Sequence, residues 1–368
     1  MRRVAISTPR PIKPVAQLRE VNRARLLRLV RTTGPLSRSQ LTDRLGLNRS
    51  TVGSLVTELE HEGWLAQTKA SVSGPGRPSP RVSVAADRFI VALNPEVDLL
   101  ELALIRLDGR IVSRVALEME PNTGPEEHLA RAIRAVPSLQ TSAIGVGIAV
   151  PGLVDSAGIV HNAPHLGWRG IALQALAEEA FGLPVRVAND AACGALAERS
   201  FGQASAGSLV FINGGSSGIG SALFERGERV MGSHGFAGEW GHTLLSATGE
   251  RRSFEALVNK RRIEALAGAP LSALNAEAPE LQAELDEQYT WLAVALGNLI
   301  AVHNPDEVVL SGYLAWLDQH RPGWLTEQVS SYALTHEQAF IHSATVDAAL
   351  LVGAAELIAQ ELPALEQQ

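Results

Sequence analysis

The sequence predicts a mixed α/β protein in two folded parts. A winged helix-turn-helix over residues 17–85, preceded by a basic arm at 1–16, is followed by two α/β lobes facing a cleft over 86–368. Three observations carry this expectation. A tight Gly46-Leu47-Asn48 turn separates two short amphipathic helical patterns. Beyond Ala86, strands followed by alternating helix and strand occur twice. Charge also changes sign between the parts: residues 1–85 hold 15 Lys/Arg against 5 Asp/Glu, and the remainder holds 17 against 34. A basic module joined to an acidic one points to a polyanion contact at one end only.

The arm carries Arg2, Arg3, Arg10 and Lys13 among Pro9, Pro11 and Pro14. Proline disfavours helix there, which leaves either a flexible basic segment that touches phosphate or a plain disordered end. Over residues 17–33, Leu18, Val21, Leu26, Leu27, Leu29 and Val30 fall largely on one helical face, and Gly34-Pro35 stops the helix. Ser37 caps a short helix containing Leu41 and Leu45, ended by Gly46. Asn48 caps a third helix with Val52, Leu55, Val56 and Leu59 on its buried side. Arg49, Ser50, Thr51 and Ser54 lie off that stripe, near the N-terminal end, where an arginine and short polar side chains can read base edges in a major groove. The plain alternative is a three-helix core with a polar outer face; the positive charge of this part argues for DNA. Candidate strands at 65–70 and 81–85 flank residues 71–79, a wing whose tip displays Arg77 between Gly76 and Pro78. An arginine on such a narrow scaffold suits an A·T-rich minor groove, although stretches of this composition also serve as linkers.

At 368 residues the chain exceeds one ordinary core, and its 46% apolar content is that of a globular protein. No run approaches the ~18 apolar residues of a membrane span, and the N-terminus lacks a hydrophobic segment of signal-peptide length, so a cytoplasmic protein is expected. A single cysteine, Cys193, excludes an internal disulfide and a thiolate-rich metal site. In the acidic part, strands are expected at 89–93, 99–107 and 110–117, with Asp108-Gly109 turning the last pair. A helix at 125–136, a glycine-punctuated strand at 143–150, a Pro151-Gly152 turn, a helix at 170–181, a strand at 185–188 and a helix at 190–201 follow. The second round has strands within 208–231, helices at 254–267 and 280–303, a strand at 307–310 and further helices.

The stretch 211–242 organises the second half. A glycine-serine turn at 214–218 joins two strands, and a hairpin with Gly227 at its tip leads to the compact loop from Gly235 to His242. This loop holds Glu239 and His242 three residues apart, and a carboxylate beside an imidazole can bind adjacent hydroxyls. The spacing of Gly218, Gly220, Gly232, Gly238, Gly241 and His242 resembles the signature of the ROK family (repressors, unassigned reading frames and sugar kinases), with Gly215 where the signature prefers an aliphatic residue. The Gly76-Arg77-Pro78 triplet is similar to the wing of ROK repressors. The resemblance runs from Gln17 onward and implies the actin-like, sugar-kinase (ribonuclease H-like ATPase) fold for the two lobes.

The same resemblance implies roles for individual residues. In Val187-Ala188-Asn189-Asp190-Ala191, Asp190 stands where family kinases keep the base that deprotonates the sugar hydroxyl, and Asn189 where they hold neighbouring hydroxyls. The bland reading is that Asp190 only caps its helix. Glu255, in Ser253-Phe254-Glu255 where the family has Cys-Leu-Glu, stands as a second carboxylate on the sugar, or as an exposed glutamate favoured by a helix start. His165 replaces the asparagine of the family's Pro-Asn-Leu loop. Asn189, Asp190, Glu239, His242 and Glu255 are thus the candidate contacts for a sugar or sugar phosphate.

Departures from the family pattern set the activity expected. Many members bind zinc through this histidine and three following cysteines; no cysteine stands between His242 and Glu255, so no metal is expected. The kinases carry an Asp-x-Gly-Gly-Thr phosphate loop where this chain has Asn94-Pro95-Glu96-Val97-Asp98, and Ser311 precedes Gly312 in the altered strand end after Pro305. No catalytic residue and no cofactor is therefore assigned. The reading is a sugar-responsive transcriptional regulator, a repressor of carbohydrate-metabolism genes, binding double-stranded operator DNA as a homodimer or homotetramer. The alternatives are a DNA-binding protein that still phosphorylates its sugar, and a regulator whose C-terminal part only assembles the oligomer or binds a protein partner.

Overall fold

The computed structural model describes residues 15–68, 80–135, 143–215, 217–246, 251–274, 278–332 and 339–362. Contacts divide the chain into two compact units, Met1–Asp87 with Glu361–Gln368, and Arg88–Gln360.

The first unit contains helices α1 (Val15–Thr33), α2 (Arg38–Leu45) and α3 (Arg49–His61). Ser37 caps α2 through a capping box, its hydroxyl accepting from the Gln40 N–H while the Gln40 side chain accepts from the Ser37 N–H. Gly46 ends α2 at φ 65°, a left-handed conformation that costs glycine nothing, and the Asn48 side chain accepts the Thr51 N–H to open α3. Leu26, Leu27, Leu41, Leu55, Leu59 and Trp64 close the core. The wing strands Leu65–Thr68 and Arg81–Val84 pair antiparallel. A third strand, Leu36–Ser37, pairs with Arg81–Val84; two residues after a proline, the second of them the helix cap, are too few to carry a strand pattern. Arg77, with the rest of the wing tip, and residues 1–14 of the arm lie outside the described residues.

The second unit repeats one plan. Its first sheet has the order Val185–Asn189, Ala143–Val150, Phe89–Pro95, Leu99–Arg106, Ile111–Glu118; its second has Phe340–Ser343, Glu307–Gly312, Leu209–Gly215, Gly218–Glu225, Glu228–Arg229. In each, the first three strands run parallel and the last two complete an antiparallel meander. The late helix Ala349–Ala359 packs back onto the first sheet and the helix Asp190–Phe201. The approach is close: a Cβ on Gly147 would fall on the Ala354 carbonyl, and one on Gly353 on the Cys193 carbonyl. Buried Glu198 pins the start of that return, accepting N–H donors of Thr345 at 2.7 Å and Val346 at 2.6 Å and the Thr345 hydroxyl at 3.1 Å.

Three elements differ from expectation for local reasons. The strand expected at 89–93 continues to Pro95, and the Glu96 N–H donates to the Leu99 carbonyl at 2.7 Å, closing a tight hairpin. The helix expected at 254–267 breaks into Phe254–Leu257 and Lys260–Ala267, because Asn259 opens the second piece by accepting the Arg262 N–H. The helix expected from 170 starts at Leu173; Gly170 is left-handed and belongs to a ribbon of Leu153–Val154, Val160–Ala163 and Trp168–Ile171.

Candidate functional site

A pocket of about 100 Å³ is lined by Asn189, Asp190, Glu239, His242 and Glu255, together with His165, Asn162, Gly218 and Gly220. The five candidate contacts therefore share one cavity. His165, Asn162 and Ser217 are the polar neighbours outside that set. His165 had a motif to flag it, whereas Asn162 sits on the ribbon and carries no sequence signal.

Asn189 ends a first-sheet strand, where its carbonyl oxygen accepts the Ala192 N–H at 3.1 Å and its amide donates to the Gly152 carbonyl at 3.1 Å. Asn189, not Asp190, is thus the cap of the helix Asp190–Phe201. Asp190 is the first helical residue, buried, with Oδ1 accepting the Ala191 N–H at 2.7 Å. Burial, with the Glu239 charge adding, pushes its carboxyl up to about 6 against the backbone bond that favours the anion. Such a group costs stability above pH 6, and the cost fades as pH falls through 6 toward the ordinary aspartate value. Asp190→Asn, which keeps the accepting oxygen, is expected to raise unfolding free energy at pH 7.5 by up to about 3 kcal/mol while weakening hydroxyl binding. Denaturant titrations from pH 8 to pH 4 check this: the gain should shrink on acidification, and a constant or negative difference would contradict the assignment.

Glu239 follows Gly238, whose φ of 104° favours glycine and where a Cβ would lie only 3.0 Å from the Ser221 carbonyl oxygen. Burial pushes the Glu239 carboxyl up, His242 opposing and Glu255 adding. The His242 ring lies between two carboxylates, Nδ1 3.1 Å from Glu255 and Nε2 3.9 Å from Glu239. Glu255 starts the short helix Phe254–Leu257 and accepts the Ile219 N–H at 3.4 Å, so its place at a helix start and its place in the pocket coincide. This row of acceptors around one imidazole suits a neutral polyol.

Glu96 is a different feature. Its Oε2 is buried without a hydrogen-bond partner, and burial, with Asp190, Glu101 and Asp98 adding, pushes its carboxyl up to about 8. The proton it keeps at neutral pH spares the hairpin a second buried negative charge beside Asp190. The thiolates of the family's zinc site have no counterpart: Cys193, the one cysteine of the chain, is fully buried within its helix. Among the described residues no group of three His, Cys, Asp or Glu has the arrangement of a metal site.

On the first unit, Arg49 and Ser50 are exposed at the start of α3 and Thr51 is half-buried. Ser50 donates to the Asn48 side chain at 2.7 Å. Ser54 is exposed, yet its hydroxyl accepts from Arg19 at 3.1 Å and faces Glu58 at 3.4 Å. The acidic end of α3 is neutralised within the unit: Glu58 by Arg19, Glu60 by Arg38 at 3.9 Å, Glu62 by Arg23 at 2.8 Å. Each pair is worth at most about 1 kcal/mol, but together they leave the positive character of α3 at its Arg49 end.

The model of the ROK family matches residues 93–361, most of the chain. The chain belongs to the ROK family. The MarR family model matches residues 20–71 of this ROK protein, over the winged helix. It is 31% identical over 244 residues to the xylose repressor of Bacillus subtilis, an alignment covering 64% of this chain and 63% of the relative. The structure of a ROK family transcriptional regulator, a homologue of the E. coli MLC protein, superposes with a TM-score of 0.75 at 22% identity, covering 93% of this chain and 96% of that one. A ROK family glucokinase from Streptomyces griseus, solved with glucose and AMPPNP, superposes with a TM-score of 0.63 at 21% identity, covering 73% and 98%. These two likenesses establish the winged-helix and actin-like, sugar-kinase folds. Among the described residues no helix is long and apolar enough to cross a membrane.

Proposed function

We propose that this ROK protein is a sugar-responsive transcriptional repressor of carbohydrate-metabolism genes. It binds operator DNA through α3 and the wing, as a homodimer or homotetramer, and a sugar between Asn189, Asp190, Glu239, His242 and Glu255. The observation that carries the reading is the meeting of those five polar side chains in one pocket of a chain that also contains a winged helix. The name of the B. subtilis relative supports it.

The kinase alternative is disfavoured by the hairpin at Asn94-Pro95-Glu96. Pro95 has no N–H, the Glu96 N–H is spent on Leu99, and the Glu96 carboxyl stands where a phosphoryl group needs positive charge. A coupled assay with ATP, magnesium and any sugar that binds is expected to show no turnover above background. Turnover abolished by Asp190→Ala would promote the kinase reading. The regulatory reading is tested by gel shifts at fixed salt with and without a panel of free and phosphorylated sugars, beside thermal unfolding. A true ligand at a hundred times its Kd adds about 2.7 kcal/mol of apparent stability and changes operator affinity. Intact oligomers that respond to no sugar would leave the C-terminal unit an assembly module.

A further inference from the structure

Beside the sugar pocket lies a larger cavity of about 490 Å³, lined by Asp155, Ser156, His161, Ser233, His234 and Phe236 among others. The two are lined from the same segments of chain. The ribbon strands contribute Leu153 and Asn162 to the first pocket and Asp155 and His161 to the second. The loop that carries Glu239 into the first pocket carries Phe236 into the second. Residues lining the one pocket stand only one to three positions along the chain from residues lining the other.

The lining is chemically distinct. The Phe236 ring is met edge-on by His161 at 5.2 Å and stacked by His234 at 6.3 Å. Asp155 is held in one orientation, one oxygen accepting the N–H groups of Ala157 at 2.9 Å and Ile159 at 3.0 Å, the other 2.8 Å from His161 Nε2. An aromatic face beside a fixed carboxylate and imidazole is a surface for a ring with one apolar C–H face and hydroxyls at its edge. Among the described residues no lysine or arginine lines the cavity, and Asp155 repels anions, so a phosphate is disfavoured.

We propose that this cavity is a second carbohydrate subsite, which takes the second ring of a glycoside whose first ring sits against Glu239 and His242. The inference rests on the sugar-binding reading above and makes the ligand a disaccharide or longer glycoside. Calorimetry of the full chain with D-xylose, D-glucose, xylobiose and cellobiose tests it. One disaccharide is expected to bind about tenfold more tightly than its own monosaccharide. Phe236→Ala should cancel that preference and leave monosaccharide affinity unchanged. His234→Ala should reduce the preference in the same direction, and it supplies the answer should Phe236→Ala misfold. Monosaccharide binding with no disaccharide preference, or a preference untouched by the folded variants, overturns the subsite alone. Absence of binding by all four sugars overturns the inference, and the sugar-binding reading is then decided by the wider panel above.

Discussion

Glu239→Ala is expected to weaken sugar binding at least about hundredfold and to abolish the effect of sugar on DNA binding. Two hydrogen bonds from ligand hydroxyls to a charged, half-buried carboxylate contribute roughly 1.5–3 kcal/mol each, and the variant loses both. It also removes one of the two carboxylates that orient the His242 ring. His242→Ala should act in the same direction and leave Glu239 and Glu255 facing each other without the imidazole between them. In both variants operator affinity without sugar should stay close to wild type, because the substitutions lie in the second unit. Sugar controls DNA only through a difference in its affinity for two arrangements, so a variant that cannot bind has nothing to shift. Calorimetry with the cognate sugar, beside gel shifts with and without it, separates the two steps. Wild-type sugar affinity in both variants would put the site elsewhere.

The second large effect is on DNA. Deleting residues 1–87 should eliminate specific operator binding, and Arg49→Ala should cost about 1–3 kcal/mol, with relaxed preference at one base position. Arg49 leads α3, whose acidic far end is neutralised by Arg19, Arg23 and Arg38, so no other cation is equivalently placed on that helix. Arg77→Ala should chiefly reduce discrimination for A·T flanks. Gel-shift titrations at fixed salt measure all three. Undiminished specific binding by the truncated chain would place the DNA contact outside the winged helix.

Much of this architecture was legible from local chemistry. Ser37, Gly46 and Asn48 are strong stop and start signals, and the structure uses each as a cap. Five candidate contacts from separate segments were readable because short motifs announced them, and those motifs lie at strand ends or in glycine-rich loops. What escaped was tertiary in origin. The Asn189 cap depends on which of two adjacent polar residues turns toward the helix N-terminus, and the Gly152 carbonyl across the sheet decides it. The strand extension through Asn94 follows from Asn94 donating to the Ala149 carbonyl at 3.1 Å, a partner distant in sequence. The ribbon of Leu153–Val154, Val160–Ala163 and Trp168–Ile171 consists of segments too short to show a period of two. Phe236 lies in the 235–242 loop that the sequence singles out, but nothing announced the cavity around it, because Asp155 and His161 of the ribbon side meet that loop only in the fold.

The return of the helix Ala349–Ala359 to the first sheet has a consequence for how the protein is made. The ribosome releases the chain from its N-terminus, and the winged-helix elements between Val15 and Val84 emerge early. The strand Ala143–Val150 emerges long before the helix that covers it, and Gly147 awaits the Ala354 backbone, which is made much later. Until then the sheet face on which Gly145 and Gly147 lie lacks its late partner, whose Ile358 and Ala354 pack against them. The elements between Val15 and Val84 are therefore on hand while the lobe that carries Asp190 is still incomplete. A premature stop before Ala349 would yield a chain that has the winged-helix elements between Val15 and Val84 and a second unit without its closing helix.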